Sequence, residues 1–333
     1  MKKRLSVGFI GDDVHLNGYI QGFCQHSQIE MMSFCQTDNT PDGTEAKVSS
    51  ANKAYQQYAD VSQLLADDQI DVAMVCSPDH LHAEHALSAL EAGKHVLCEK
   101  PLTDNLEDCH ALVQKVKQTG LTFMASQFMR FQPIYQRIKQ IYDQGKIGRA
   151  FFVEGSYIHD MRSYYTPMTW RSDPKNPQNI LIGGGCHPLD LLRWTVDSEI
   201  VEVHAYANGD TLPDFPLDDC YIFTFQFENG CLGKVLASSG CRGHGMGEGL
   251  LSIYGTEGTI WRNQIYHQGE PEPIEVTSEG DAIETVVDHF LSCVLNGTKP
   301  QIDVIEGAKT VAALVAGVES ARTGQPVKVT KME

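Results

Sequence analysis

The first 125 residues alternate short apolar runs with helical patterns. Leu5–Ile10, Ile29–Cys35, Ile70–Cys76, His95–Cys98 and Leu121–Ala125 are rich in apolar residues, as strands buried on both faces are. Between them lie amphipathic helices. Ala83, Ala86, Leu87 and Leu90 recur at i, i+3, i+4 and i+7 and stop at Gly93; Leu106, Cys109, Leu112, Val113 and Val116 do the same and stop at Gly120. Regular strand–helix alternation implies a parallel sheet covered by helices on both faces, a doubly wound α/β domain over residues 1–125. Residues 37–50 carry neither period and read as a loop.

The second half has a different pattern. After a helix near Pro133–Tyr142, strands dominate: Ala150–Ile158, Val201–Ala207, and a pair spanning Tyr221–Ala237. Tyr221, Phe223, Phe225 and Phe227 fall on one face, and Asn229-Gly230 marks the turn of a hairpin. Two helices close the chain. Ile283, Val286, Val287, Phe290, Leu291, Val294 and Leu295 form the stripe of the first, and the second runs from about Val304 to Arg322 before Gly324. Residues 126–333 therefore read as an α+β domain with an open, mostly antiparallel sheet.

Composition narrows the class. Apolar residues make up 42% and charged residues 21% of 333, as in an ordinary globular protein. With 26 Lys+Arg against 43 Asp+Glu the net charge is −17, which argues against a nucleic-acid partner, although a local pocket can still hold a phosphate. Ten cysteines without a Cys-x-x-Cys spacing, several inside apolar runs, suit a reduced cytoplasmic protein better than a disulfide or zinc framework. The apolar run after the basic start is too short for a signal peptide, and no stretch approaches the roughly 20 residues of a membrane span.

The first strand ends at Gly8-Phe9-Ile10-Gly11, where a dinucleotide fold places its phosphate turn. The continuation Asp12-Asp13-Val14-His15-Leu16 lacks the second and third glycines of the full fingerprint and puts the Asp13 carboxylate where a phosphate should approach. Either aspartate can instead cap the following helix. At the end of the second strand Gln36 takes the place of the usual ribose-binding acid. Asp38, with no arginine beside it, disfavours a 2′-phosphate and so favours NAD over NADP. Glu99-Lys100-Pro101 follows the His95–Cys98 strand at its carboxyl end, where such sheets hold ligands.

In Gly183-Gly184-Gly185-Cys186-His187-Pro188-Leu189-Asp190, three glycines allow close backbone approach, and Pro188 suits a first helical turn. His187 then lies at a helix N-terminus, where the dipole favours a neutral imidazole able to act as a base, with Asp190 on the same face. His80, His82 and His85 cluster without further ligands at metal spacing, so no metal is expected. Arg130, Trp170 and Arg171 are candidate anion or sugar contacts.

These segments resemble the glucose–fructose oxidoreductase/inositol dehydrogenase (Gfo/Idh/MocA) family nearly end to end. Val75–His82, and above all Ala89–Pro101 with its Glu99-Lys100-Pro101, are similar to that family's motifs. So are Phe128–Pro133, Gly145–Gly148, Trp170-Arg171, Tyr254–Gly258 and Ser320–Gly324. The resemblance implies an N-terminal Rossmann domain and a C-terminal domain whose open sheet mediates homodimers or homotetramers. It implies NAD(P)-dependent chemistry on a sugar, cyclitol or related polyol. By the same resemblance Lys100 and His187 are catalytic, and Asp190, Arg130, Tyr157, Trp170 and Arg171 bind substrate. The cofactor falls to Gly11, Asp13, Gln36, Asp38, Ser77, Pro78, His82, Glu99 and Lys100. The family commonly carries an Asp four residues before the histidine; this chain has Gly183. Two other readings of the same residues are an NAD-dependent glycosidase and a sensor that binds nucleotide or sugar without turnover. Asp12-Asp13 and Gly183 favour the sensor; the intact lysine and histidine disfavour it.

Overall fold

A computed structural model describes residues 4–11, 15–35, 53–165, 169–212, 214–242, 251–267, 271–276 and 282–333. The apolar runs of the first part form a parallel six-stranded sheet of β1 (Leu5–Ile10), β2 (Ile29–Cys35), β3 (Ala54–Tyr58), β4 (Val72–Val75), β5 (His95–Glu99) and β6 (Phe123–Ser126), ordered β3-β2-β1-β4-β5-β6. Strand β3 has no apolar run to announce it. Its sequence Ala-Tyr-Gln-Gln-Tyr lies at the sheet edge with only Tyr58 buried, so its pattern is that of a half-solvated edge. The order reverses between β1 and β4, which opens the crevice that such sheets use for ligands at their carboxyl ends.

Helices α1 (Leu16–Gln25), α2 (Val61–Ala66), α3 (His82–Glu91) and α4 (Leu106–Thr119) connect these strands. Local chemistry fixes their ends. The Asn105 side chain accepts the Asp108 amide at 2.9 Å to start α4, and Gly120 at φ +66° ends it.

Compactness divides the chain differently from a single cut at residue 125. One unit comprises residues 1–131, 280–308 and 333; the other comprises 132–279 and 309–332. The reason lies in α9 (Ala282–Asn296), whose apolar stripe packs on α1. Gly18 and Gly22 of α1 let it approach: a Cβ at Gly18 would come within 2.8 Å of Ile283, and one at Gly22 within 3.1 Å of Val287.

The second unit is built on a nine-stranded sheet. Its strands are β7 (Ala150–Ile158), β8 (Ile200–Asn208), β9 (Cys220–Phe227), β10 (Leu232–Ser238), β11 (Leu251–Gly255), β12 (Thr259–Trp261), β13 (Gln264–Tyr266), β14 (Glu272–Pro273) and β15 (Val327–Lys328). All neighbours are antiparallel except β7 and β10. Asn229-Gly230 turns β9 into β10, with Gly230 at φ +84° and the Asn229 side chain accepting the Cys231 amide. Tyr221, Phe223, Phe225 and Phe227 are all buried, as their alternation predicts.

Helices α5 (Pro133–Asp143), α6 (Arg162–Tyr165), α7 (Ile180–Gly183) and α8 (Cys186–Val196) belong to this unit, as does most of α10 (Val304–Thr323). A Cβ on Gly317 of α10 would lie 2.5 Å from the Phe223 ring, so the helix rests directly on the sheet. The opposite face keeps Tyr206, Ile222 and Leu232 exposed. Among the described residues no helix is long and apolar enough to cross a membrane.

In the first unit, His289 of α9 accepts the Gln301 amide on Nε2 at 3.0 Å, with its ring 5.4 Å from that of Phe131. Burial holds this imidazole below the ordinary histidine range. The fold therefore prefers the neutral ring, and protonation would turn the acceptor into a donor. The stability this contact contributes is complete above the ordinary value of about 6.5 and drains as pH falls below it. Thermal unfolding should show Tm dropping between about pH 7.5 and 5.5, and dropping less in His289→Gln, which keeps an acceptor that does not titrate.

Candidate active site

In the first unit, Gly11 ends β1 at φ +108°, and a Cβ there would overlap Cys76 and the Ser77 amide. Only glycine lets the two turns meet so closely. Asp13, Gln36 and Asp38 lie outside the described residues. Ser77 is buried, and its hydroxyl is 2.9 Å from His85 Nδ1. Pro78 follows it and caps the turn 79–81.

His82 is buried with both ring nitrogens against backbone carbonyls, Nδ1 at 2.7 Å from Pro101 and Nε2 at 2.8 Å from Ser77. It ties the turn after β4 to the turn after β5, which is a brace behind the crevice. Of the three clustered histidines, His82 makes this brace and His85 meets the Ser77 hydroxyl, and the described residues contain no group of three or more that could hold a metal ion.

Lys100 follows β5 directly, joined to Pro101 through a cis peptide. Its backbone is fixed by the preceding side chain. Glu99, 2% exposed, accepts the Lys100 amide on Oε2 at 2.6 Å and the Tyr19 hydroxyl on Oε1 at 2.7 Å. Tyr19 also hydrogen-bonds Ser126, and His15 Nδ1 lies 3.7 Å from Glu99 Oε1. Burial, with the Glu99 charge adding to it, pushes the Tyr19 phenol well above its usual range, so it remains a donor. Tyr19 and Ser126 carry no motif, and only their convergence in space reveals them. Arg130, also 2% exposed, pairs with Glu306 at 3.4 Å.

In the second unit, the three glycines have ordinary helical or near-helical dihedrals where these are defined, so their role is close packing. A Cβ on Gly184 would overlap the Tyr157 ring, and one on Gly185 the Leu181 carbonyl. The His187 amide donates to the Gly184 carbonyl at 3.2 Å. His187 is therefore the second residue of α8, in the first turn of that helix as the sequence leads one to expect, and its amide is taken up by the helical turn before it.

The His187 ring lies 5.8 Å from that of Tyr157, at 27° between planes, and Tyr157 lies 4.4 Å from His159, the residue just after its strand. Burial lowers the His159 imidazole. Asp190, 1% exposed, accepts the Thr310 hydroxyl at 3.1 Å. Arg193 donates to Thr310 at 3.0 Å and grips Glu199 through Nε and Nη2 at 3.2 and 2.7 Å. Burial alone would raise the Glu199 carboxyl, yet Arg193 and Lys309 hold it below the usual range. Sequence reading missed Arg193, Glu199 and Thr310: Thr310 is 120 residues from Asp190, and nothing local announces the pairing. Elsewhere the Arg171 guanidinium stacks 4.3 Å from the Trp170 ring.

The matches to known proteins agree with this architecture. Residues 6–127 match the model of the oxidoreductase family with an NAD-binding Rossmann fold, and residues 135–261 match the GFO/IDH/MocA C-terminal domain. The chain belongs to the Gfo/Idh/MocA oxidoreductases, and it is an NAD(P)-dependent enzyme of the dehydrogenase/reductase type.

Among its relatives, the scyllo-inositol 2-dehydrogenase (NAD(+)) of Bacillus subtilis is 27% identical over 81% of each chain. The D-xylose 1-dehydrogenase [NADP(+)] of Haloarcula marismortui is 24% identical over 83% of this chain and 78% of its own. A solved levoglucosan dehydrogenase in complex with NADH superposes with a TM-score of 0.85, at 22% identity, over 99% of this chain and 100% of its own.

Removing the Tyr19 hydroxyl deprives a buried carboxylate of a donor. Tyr19→Phe should cost about 1–3 kcal/mol in chemical denaturation. A loss near zero would show that the Lys100 amide and the other neighbours suffice to hold Glu99.

Proposed function

We propose that this enzyme moves hydride between NAD and a hydroxyl-bearing carbon of a sugar, cyclitol or related polyol. The observation that carries the proposal is Lys100, held through its own amide by the buried Glu99 at the carboxyl end of β5. The inositol and xylose dehydrogenases among the relatives support the substrate class. NAD, when bound, supplies the hydride acceptor. The fit to a dinucleotide rests on the place of the Gly11 turn, at the carboxyl end of β1 where the strand order reverses toward β4, with the Ser77 turn packed directly against it. Gln36 and Asp38 are the sequence grounds for NAD over NADP.

In this reading the Lys100 ammonium hydrogen-bonds the reacting oxygen and stabilises charge on it. His187 accepts the hydroxyl proton. Asp190, pinned by Thr310, receives a substrate hydroxyl, and Tyr157, Trp170 and Arg171 supply aromatic and cationic surface for a sugar. Arg130, buried against Glu306, would act by holding its turn. The exposed Tyr206, Ile222 and Leu232 on the open sheet face support a homodimer or homotetramer formed through that face. None of the ten cysteines is in a disulfide, and burial pushes the Cys231 thiol up to about 11 and Cys109 to about 12, which suits a reducing cytoplasm.

The test is a rate screen of inositols, aldoses and anhydrosugars with NAD and NADP. Lys100→Ala should lower kcat by about 10²–10⁴ while calorimetry still shows NAD binding. Normal turnover by Lys100→Ala would sink the assignment of the lysine.

A further inference from the structure

The turn that carries His187 has no side chain at residue 183, and the space is not empty. A Cβ built on Gly183 would lie 2.7 Å from Nε2, 2.8 Å from Cδ and 3.0 Å from Cγ of Gln178. Real Cβ atoms do not approach heavy atoms at the shortest of these distances, so the Gln178 carboxamide fills the volume that a residue-183 side chain needs.

Gln178 is held there from two sides. It is 8% exposed; its backbone N–H donates to the Arg171 carbonyl at 2.9 Å, and its side-chain Oε1 accepts the Tyr165 hydroxyl at 3.1 Å. Tyr165 is itself 3% exposed. With Oε1 engaged by the phenol, the carboxamide turns its N–H₂ toward Gly183. The helical path from 183 to 187 then sets residue 183 one turn before His187 on the same face. Next to it, the Tyr157 ring rests on Gly184 and faces the His187 ring. The turn is therefore packed from two sides, by an amide at 183 and by an aromatic ring at 184.

We propose that Gln178 is a positioning residue for His187: its carboxamide, oriented by Tyr165, takes the place of a residue-183 side chain and presents a neutral N–H donor on the histidine's face of the turn. The proposal rests on the assignment of His187 as the proton acceptor. A carboxamide nitrogen donates and does not accept, so this face of the turn has the polarity opposite to that of a carboxylate at 183. An acid at 183 and a glutamine at 178 are alternative occupants of one space. Each is compatible with the turn, and the two together are not.

Four variants test this: Gln178→Met, Gln178→Ala, Gly183→Asp and the double variant Gln178→Ala with Gly183→Asp, each measured for kcat, KM, Tm and the NMR signals of the histidine rings. Gln178→Met keeps the volume without the amide. It should hold Tm close to wild type, lower kcat about tenfold with KM little changed, and shift the His187 ring signals. Gly183→Asp alone should lower both Tm and kcat, and adding Gln178→Ala should restore both well above either single variant. Wild-type kcat and unshifted His187 signals in Gln178→Met would overturn the positioning role. Additive losses in the double variant would overturn the shared space. Should wild type turn over no polyol with either cofactor, the proposed function fails, while Tm and the ring signals still decide the role of Gln178.

Discussion

One buried carboxylate organises the first unit. Glu99 has no water to solvate it, so each of its oxygens must find a donor within the protein. One donor is the phenol of α1, the other the backbone amide of the residue that follows it. Because the second donor belongs to Lys100, satisfying Glu99 also fixes the backbone of the lysine. The first donor comes from the helix that follows the Gly11 turn, so the same carboxylate links that turn to β5. The His82 bridge between the Ser77 and Pro101 carbonyls does parallel work one layer away. Three turns at the carboxyl ends of three strands are thus held by groups that cannot move separately.

In the second unit polar contacts and tight packing divide the work. The Glu199–Arg193–Thr310–Asp190 chain holds a buried acid by alternating donor and acceptor from residue to residue, and no member can be lost without exposing the next. Around the His187 turn, by contrast, glycine backbone lies flush against Tyr157 and Gln178. Geometry there is set by repulsion, which has a steeper distance dependence than a hydrogen bond.

How much of this can be read from the sequence depends on the range of the interaction. The parallel strands were legible because burial on both faces leaves a continuous apolar run; β3 was not, because an edge strand leaves none. The β9–β10 hairpin was legible because Asn229-Gly230 and the aromatic alternation are local. Lys100 and His187 stand out in the sequence only as motif positions, and the contacts that fix their backbones do not. Tyr19, Ser126, Gln178, Arg193 and Thr310 were not, since each acts on a partner that only folding brings near. The helix start at His187 was legible from Pro188, because it too is local. What the sequence does not announce is the short helical turn just before it, whose Gly184 carbonyl takes up the His187 amide.

The placement of α9 bears on how the chain is made. The face of α1 bearing Gly18 and Gly22 is covered by a helix that leaves the ribosome some 260 residues later. During that interval the nucleotide-type sheet can form its local strand–helix pairs, yet its outer layer stays incomplete and apolar. A protein whose first unit is finished by a helix that follows all but the last strand of the second unit's sheet in the chain cannot fold strictly domain by domain from the N-terminus. Its early surface must be shielded until α9 has been made, and genetic truncation or exchange at a single point between the two units would strand that face in water.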